Sequence, residues 1–156
     1  MKIDIILPFK EIFSKNKASS VSITVKNSTE FSKFKDCINV FGQFVEDSME
    51  GIKFTGIKTN KFIHFGNNRS ILHNYLKLIK KEDNKNKIIE MHNRPYLFNS
   101  AINKKINIPI SLHFHNDPRE MQGSKTTTER DFIAKNAAAV YFVSNYIRNC
   151  FLDGLQ

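Results

Sequence analysis

The chain has 156 residues, of which 40% are apolar and 14 are Phe, and this is enough to form the core of one ordinary domain. Its formal net charge is +9, but only five of the 24 basic residues are Arg and the 19 Lys are scattered along the sequence. Because bidentate recognition of bases and phosphates favours Arg, this composition argues against a nucleic-acid-binding protein. Weak attraction to anionic lipid head groups or phosphorylated ligands stays open.

Cysteine spacing and the amino terminus narrow the class of protein further. Cys37 and Cys150 lie in different predicted elements and show no CxxC spacing, so neither a zinc site nor a disulfide framework is indicated. Residues 1–8 contain an apolar run that is too short for a signal peptide or a membrane span. We therefore expect a cytoplasmic protein, either soluble or peripheral at the inner membrane face.

The first half of the chain predicts strands and helices in alternation. Residues 2–7 are β-branched and short, which is typical of a buried strand. Residues 18–34 carry apolar positions at helical spacing, although residues 22–25 alone fit a strand equally well, and we predict a helix. Residues 36–41 then alternate as a strand does, and Gly42 is expected to end it.

The next segment predicts two short strands, a helix and a turn. The strands cover residues 52–54 and 61–65, and Gly56 is expected to separate them. A helix follows, with its start capped by Asn67 or Asn68. Its apolar face consists of Ile71, Leu72, Tyr75, Leu76 and Ile79. Residues 80–87 are charged and are expected to form a turn without a function.

The second half continues the alternation, with strands at residues 88–91, 108–112 and 139–143. Strands that alternate with helices require right-handed crossovers and a parallel sheet. We therefore predict one domain over residues 1–156, a Rossmann-like α/β three-layer sandwich with a mainly parallel sheet. The GxGxxG fingerprint is missing after the first strand, which argues against a nicotinamide or flavin enzyme.

A polar loop follows the strand at residues 88–91, where a parallel sheet places its ligand crevice. It contains His92, Asn93 and Arg94, and the Arg94 guanidinium could hold a phosphate or a sugar hydroxyl. Alternatively, Asn93 and Pro95 only shape the turn into a helix over residues 96–104.

A second polar loop follows the strand at residues 108–112. His113 and His115 alternate there and are expected to point to opposite sides of the chain, so that they cannot share a ligand. For this reason, and because no Cys lies nearby, we expect no metal cofactor. His115 is expected to project into the crevice, with Asn116 and Asp117 as turn and hydrogen-bonding groups. A neutral imidazole suits recognition of a sugar hydroxyl.

Two helix-start signals complete the pattern. Gly123 lies in a polar stretch, and Thr126 starts a helix whose positive end is free for an anion. Ser144 follows the last strand and can cap a helix over residues 145–152. Spacing alone assembles no Ser-His-Asp or Cys-His triad.

Four segments of the second half carry a family resemblance. In chain order they are IEMHNRP at residues 89–95, ISLHFHNDPREMQG at 110–123, ER at 129–130 and AVYFVSNYIR at 139–148. Their order and spacing resemble the amino-terminal domain of glycosyltransferase family 4, retaining sugar transferases of the GT-B architecture that include lipopolysaccharide-type enzymes. The first half departs from the family at the Gly-Gly turn near the donor diphosphate, which appears here as Ala18-Ser19-Ser20.

The resemblance implies roles for particular residues. His115 corresponds to the family's histidine beside the transferred sugar, and Ala18, Ser19 and Ser20 to the donor-side loop. The expected substrate-binding residues are His92, Asn93, Arg94, Asn116, Asp117, Gly123 and Ser144. The implied partners are a nucleotide-sugar as co-substrate and a glycan or lipid-linked glycan as acceptor, with no metal.

In this family a second, carboxy-terminal domain holds the nucleotide-sugar, and that donor-binding domain is not expected within these residues. Retaining transfer depends on charge preorganised at the leaving diphosphate. We therefore expect this chain to be weak or inactive alone and to need the missing domain or a partner chain. The alternative is a non-catalytic Rossmann-like binding or assembly module, which would not require His92, Arg94, His115 and Asn116 to share one crevice.

Overall fold

A computed structural model describes residues 1–59, 66–80 and 84–155. It separates into two compact units, Met1–Ile88 and Ile89–Gln156. Strands and helices alternate along the chain, and the strand pairs within each unit are parallel. The predicted Rossmann-like α/β class with a parallel sheet is therefore confirmed, and the extent of a single domain over residues 1–156 stays a prediction.

The described residues of the first unit form three strands and two α-helices. They are β1 (Lys2–Ile6), α1 (Ser20–Glu30), β2 (Ile38–Gln43), β3 (Phe54–Ile57) and α2 (Asn67–Ile79), with a 3-10 turn at Lys35–Cys37. β2 lies between β1 and β3 and pairs in parallel with both. The core residues of this unit are Ile5, Leu7, Phe13, Val21, Val25, Ile38 and Val40.

The segment that fitted both a helix and a strand is helical, as predicted. Val21 and Val25 are one turn apart on α1 and both are buried. The side chain of Ser19 caps the helix, because its Oγ accepts a hydrogen bond from the backbone N–H of Ser22 at 3.2 Å. The helix ends at Glu30, four residues earlier than expected.

Gly42 and Gly56 were expected to lie at strand ends, and this is wrong for both. Gly42 lies inside β2 and is paired with Gly56 inside β3. A Cβ at Gly42 would lie 3.4 Å from the Cβ of Leu7, and a Cβ at Gly56 would lie 3.0 Å from the Cα of Phe44. Both glycines therefore accommodate a close neighbour within the sheet rather than a turn. The strand predicted at residues 61–65 lies entirely outside the described residues.

The predicted cap of α2 is also wrong, although its buried face is confirmed. The N-cap is Gly66, and Asn67 and Asn68 lie inside the helix. Asn68 instead accepts a hydrogen bond at Oδ1 from the backbone N–H of Phe9, at 2.7 Å. The buried residues of α2 are Ser70, Ile71, Leu72, Tyr75 and Ile79.

Lys87 is not part of a solvated turn, contrary to the expectation for residues 80–87. It begins β4 and is buried. Its Nζ lies 2.9 Å from Oδ2 of Asp4, and the same oxygen accepts a hydrogen bond from the Tyr75 hydroxyl at 2.7 Å. The ion pair therefore joins two residues that are far apart in sequence within the first unit.

The second unit has the same alternation. Its elements are β4 (Lys87–His92), whose first two residues belong to the first unit, α3 (Pro95–Asn103), β5 (Ile110–Phe114), α4 (Thr127–Asn136), β6 (Ala139–Phe142) and α5 (Asn145–Leu152), with a 3-10 turn at Pro118–Glu120. β5 lies between β4 and β6. Within the described ranges, no helix is both long and apolar enough to cross a membrane.

The strand pairing of the second unit divides its sheet into two different faces. Partners in a parallel pair point to the same side, and side chains alternate along each strand. One face is apolar and packs against Phe151 of α5; its residues are Ile89, Met91, Ile110, Leu112, Phe114, Val140 and Phe142. The opposite face carries Glu90, His92, Ser111, His113 and Tyr141, and is called the polar face below.

Candidate functional site

The polar face carries a cluster of ionisable side chains at the carboxyl ends of β4 and β5. Glu90 and His92 are two residues apart on β4, and His113 is paired with His92 on β5. Oε1 of Glu90 lies 2.9 Å from Nε2 of His92 and 3.4 Å from Nε2 of His113. The two imidazole rings stack with their centroids 4.6 Å apart, and the ring of Tyr141 lies 4.4 Å beyond that of His113.

His115 joins this cluster from the loop after β5. Its Nε2 lies 2.8 Å from Nδ1 of His92, and the centroids of their rings are 5.1 Å apart. The expectation that His113 and His115 point to opposite sides is wrong, because both rings lie against His92. Residues two apart on an extended strand share a face, and the alternation was assigned incorrectly.

Asn93 fixes the two polar loops to each other. Its side-chain Oδ1 accepts a hydrogen bond from the backbone N–H of His115 at 2.8 Å, and its backbone N–H donates to the carbonyl of His113 at 2.9 Å. Asn93 is buried and has a φ of 50°, in the left-handed region that Asn tolerates better than most residues. These bonds hold the backbone around His92 and His115 in one arrangement.

The charges of the cluster follow from burial and from contacts among the side chains. Burial would raise the pKa of Glu90, but its contacts with the imidazoles of His113 and His92 outweigh this and lower the pKa to about 2. Burial, followed by repulsion from His92 and His113, lowers the pKa of His115 to about 4. At neutral pH, Glu90 is therefore a carboxylate and His115 a neutral imidazole.

Arg94 and Pro95 support the turn interpretation of the first loop. The guanidinium Nη1 of Arg94 donates to the carbonyl of Asn93 at 2.6 Å, so it binds its own turn. Pro95 occupies the first position of α3, as predicted.

The remaining residues predicted in the second loop do not join the histidine cluster. Asn116 is exposed. The Asp117 carboxylate accepts hydrogen bonds from the backbone N–H of Arg119 at 2.9 Å and from its Nη2 at 2.8 Å. These bonds lower the pKa of Asp117 to about 2.

Gly123 and Ser144 have structural roles in the second unit. Gly123 has a φ of 92°, and a Cβ there would lie 2.5 Å from the backbone N of Tyr96 at the start of α3. Ser144 caps α5, as predicted, by accepting a hydrogen bond at Oγ from the backbone N–H of Ile147 at 3.2 Å. Thr126 and Glu129 form a capping box at α4, which confirms that helix start.

The residues predicted for the donor side, Ala18, Ser19 and Ser20, belong to the first unit. Ser19 is the N-cap of α1, and Ser20 is the first residue of that helix. Their geometry is that of a helix start, and a role toward a nucleotide-sugar stays a prediction.

Two residues of the second unit were not predicted from the sequence. Glu90 occupies a strand that reads as mostly apolar, and only the pairing of β4 with β5 reveals its contacts with two histidines. Arg130 is buried and hydrogen-bonds four backbone carbonyls, those of Ser124, Lys125, Phe151 and Asp153. Arg130 belongs to a segment that carries the family resemblance, but its position in a mainly polar helix gave no signal of this structural role.

The second unit therefore brings together His92, Asn93 and His115 from the predicted set, together with Glu90 and His113. Comparison of the chain with protein-family models, with curated proteins and with solved structures finds no match.

Proposed function

We propose that this chain is the acceptor-side domain of a retaining glycosyltransferase that resembles family 4, and that His115 lies beside the transferred sugar. The observation that carries the proposal is the joining of His92, Asn93 and His115 at the carboxyl ends of β4 and β5. Ligand crevices of parallel α/β sheets lie at this edge.

The chemistry of these residues suits a polyhydroxylated ligand. Nε2 of His115 is engaged by Nδ1 of His92, which leaves Nδ1 of the neutral His115 ring to hydrogen-bond a sugar hydroxyl. A hydroxyl both donates and accepts, so it can pair with this nitrogen. The ring of His115 is positioned by its hydrogen bond with His92, and its backbone by the bond that its N–H donates to Oδ1 of Asn93. Little conformational entropy therefore remains to be lost on binding.

In this proposal the acceptor is a glycan or a lipid-linked glycan, as in lipopolysaccharide synthesis, bound by a cytoplasmic protein that is peripheral at the membrane. Binding of the nucleotide-sugar is assigned mainly to a second domain or a partner chain. Preorganised charge at the leaving diphosphate supplies much of the rate in such a transfer, so this chain alone is expected to bind its acceptor but to transfer sugar weakly or not at all.

Ligand-observed NMR with short glycans and nucleotide-sugars tests the proposal. We expect saturation transfer to a glycan with the wild-type chain, and its loss with His115→Ala. His73 lies exposed on α2 in the first unit, so His73→Ala is the matched control and should retain binding. Absence of glycan binding by the wild-type chain, or equal binding by His115→Ala, would refute an acceptor site at His115.

The exposed apolar residues near β6 favour a second candidate, a non-catalytic binding or assembly module. Tyr141, Val143 and Tyr146 are 51%, 57% and 66% exposed, which is unusual for large apolar side chains so close in sequence. This candidate predicts that the chain self-associates. Val143→Ser and Tyr146→Ser should weaken the self-association, and His115→Ala should leave it unchanged. Sedimentation equilibrium of the three variants separates the two candidates.

A further inference from the structure

The polar face of the second unit brings two imidazoles and one carboxylate into a single cluster. Glu90 and His92 share a face of β4, and His113 lies opposite His92 on β5. All three project from paired strands, which hold side chains more firmly than loops do. The cluster is therefore part of the rigid sheet.

We propose that Glu90, His92 and His113 form a binding site for a divalent zinc-class metal ion. One ligand atom from each residue lies within 4.8 Å of the others. Zinc bonds to nitrogen and carboxylate oxygen are about 2.0–2.2 Å long, so atoms that share one ion lie roughly 3 to 3.5 Å apart. The separations of Glu90 Oε1 from the two Nε2 atoms, 2.9 and 3.4 Å, agree with this value.

The nitrogen of His113 supplies an independent observation. Its Nε2 is buried and makes no hydrogen bond of good geometry with any residue that the structure describes, although it lies 3.4 Å from Oε1 of Glu90. A buried polar atom without a partner is costly, and coordination to a cation would satisfy it.

The neighbours of the cluster resemble the support that metal-binding histidines usually have. Nδ1 of His92 lies 2.8 Å from Nε2 of His115, and its Nε2 lies 2.9 Å from Oε1 of Glu90. With an ion bound, His92 would donate from Nδ1 to His115 while the lone pair of its Nε2 bonds the ion. Such an outer contact fixes the tautomer and the ring orientation of a ligand. The ring of Tyr141 packs against His113 on the other side.

Ligand type and exposure define the class of ion and the kind of site. Two imidazoles and one carboxylate suit zinc and similar transition metals, whereas magnesium and calcium prefer oxygen ligands alone. The side chains of Glu90 and His113 are 22% and 24% exposed, whereas that of His92 is 4% exposed. Three protein ligands with an open side leave a position for water or for an oxygen of a bound molecule.

This inference replaces the expectation that no metal binds. That expectation depended on His113 and His115 pointing apart and on the lack of a nearby Cys. The first ground does not hold, and the proposed site uses no thiolate. The inference does not depend on glycan binding, because zinc binding is measured without any sugar.

Isothermal titration of the metal-free chain with ZnCl2 tests the site. Cys37 is exposed and can bind zinc adventitiously, so all proteins carry Cys37→Ser. We expect one site whose affinity falls at least tenfold in His113→Ala and in Glu90→Gln, as expected for the loss of one ligand. The His73→Ala control should bind zinc as the parent does.

Cobalt supplies a second readout of the same site. With Co2+ in place of zinc, we expect a visible absorption band that is lost in both ligand variants, while far-UV circular dichroism shows that they remain folded. Glu90→Gln preserves the shape of the side chain and keeps the test valid if His113→Ala does not fold. Equal zinc affinity in parent and ligand variants, or no zinc binding by the folded parent, would overturn the proposal.

Discussion

Asp117 illustrates how a residue that was predicted to meet a ligand is instead held by its neighbours. Its carboxylate caps the 3-10 turn at Pro118–Glu120 and bonds the side chain of Arg119. Arg119 also reaches Asp153 at 3.2 Å and Cys150 at 3.2 Å. The sequence placed Asp117 correctly in a turn but did not indicate which cation would bind it.

The lowered pKa of Asp117 makes a prediction about stability and pH. The folded pKa, about 2, lies below the ordinary Asp value, so the folded state gains stability from the ionised form. This contribution is complete above the unfolded-state pKa, near 4, and is lost as the pH falls toward 2. We therefore expect Asp117→Asn to lower the urea midpoint at pH 7 and to have a smaller effect at pH 3.

The control for this prediction is Asp131→Asn, which removes a more exposed carboxylate paired with Lys135 on α4. Its urea midpoint should stay close to that of the wild-type chain at both pH values. If Asp117→Asn lowers the urea midpoint by the same amount at pH 7 and pH 3, the lowered pKa of Asp117 would be contradicted.

The histidine cluster shows what a sequence can reveal about single residues. His92, Asn93 and His115 were predicted because polar residues directly follow apolar strands. Glu90 was missed because its partners depend on strand register, which periodicity does not supply. The directions of His113 and His115 could have been predicted from strand alternation.

Helix starts are the elements that local chemistry predicted best. Pro95, Thr126 and Ser144 begin α3, α4 and α5 through contacts within a few residues, and such contacts can be read from sequence. The positions of Gly42 and Gly56 were predicted incorrectly, because each glycine makes room for a residue that is not its neighbour in sequence.

Gly123 allows a test of the contact between its loop and the start of α3. Gly123→Ala adds a Cβ 2.5 Å from the backbone N of Tyr96 in a residue with positive φ, so both strain and overlap oppose it. We expect the free energy of unfolding to fall by about 3 kcal/mol or more, measured by urea denaturation.

Gly66→Ala is the matched control, because Gly66 also has a positive φ but no atom of the described residues within 4 Å of the added Cβ. Backbone strain alone should cost about 1 to 2 kcal/mol there. Equal losses in the two variants would show that the overlap with Tyr96 is relieved without cost.

On the scale of the whole molecule, the periodicity of apolar residues predicted the alternating α/β class. The contacts between residues that are distant in sequence could not be predicted from it. Lys87 was predicted to be part of a charged turn, and its burial beside Asp4 depends on a contact between residues that are far apart in sequence. A buried ion pair is costly to break, because the remaining charge stays buried without a counter-ion.

We therefore expect Lys87→Met to lower the free energy of unfolding by about 3 to 5 kcal/mol, because the charge of Asp4 stays buried. The double variant Asp4→Leu/Lys87→Met should recover part of this loss, and Lys10→Met, at an exposed position, should cost little. Urea denaturation of the four proteins measures these differences. An unchanged free energy of unfolding in Lys87→Met would contradict the burial of the ion pair.

The central claim is that the loops after β4 and β5 form a glycan-binding site around His115. The most direct test is a titration of the 15N-labelled chain with the glycan that binds best, followed by two-dimensional NMR. We predict that shifts concentrate in the backbone amides of residues 92–94 and 115–117, that they vanish in His115→Ala and that they persist in His73→Ala. Shifts that lie elsewhere, or an unaltered titration in His115→Ala, would contradict the claim.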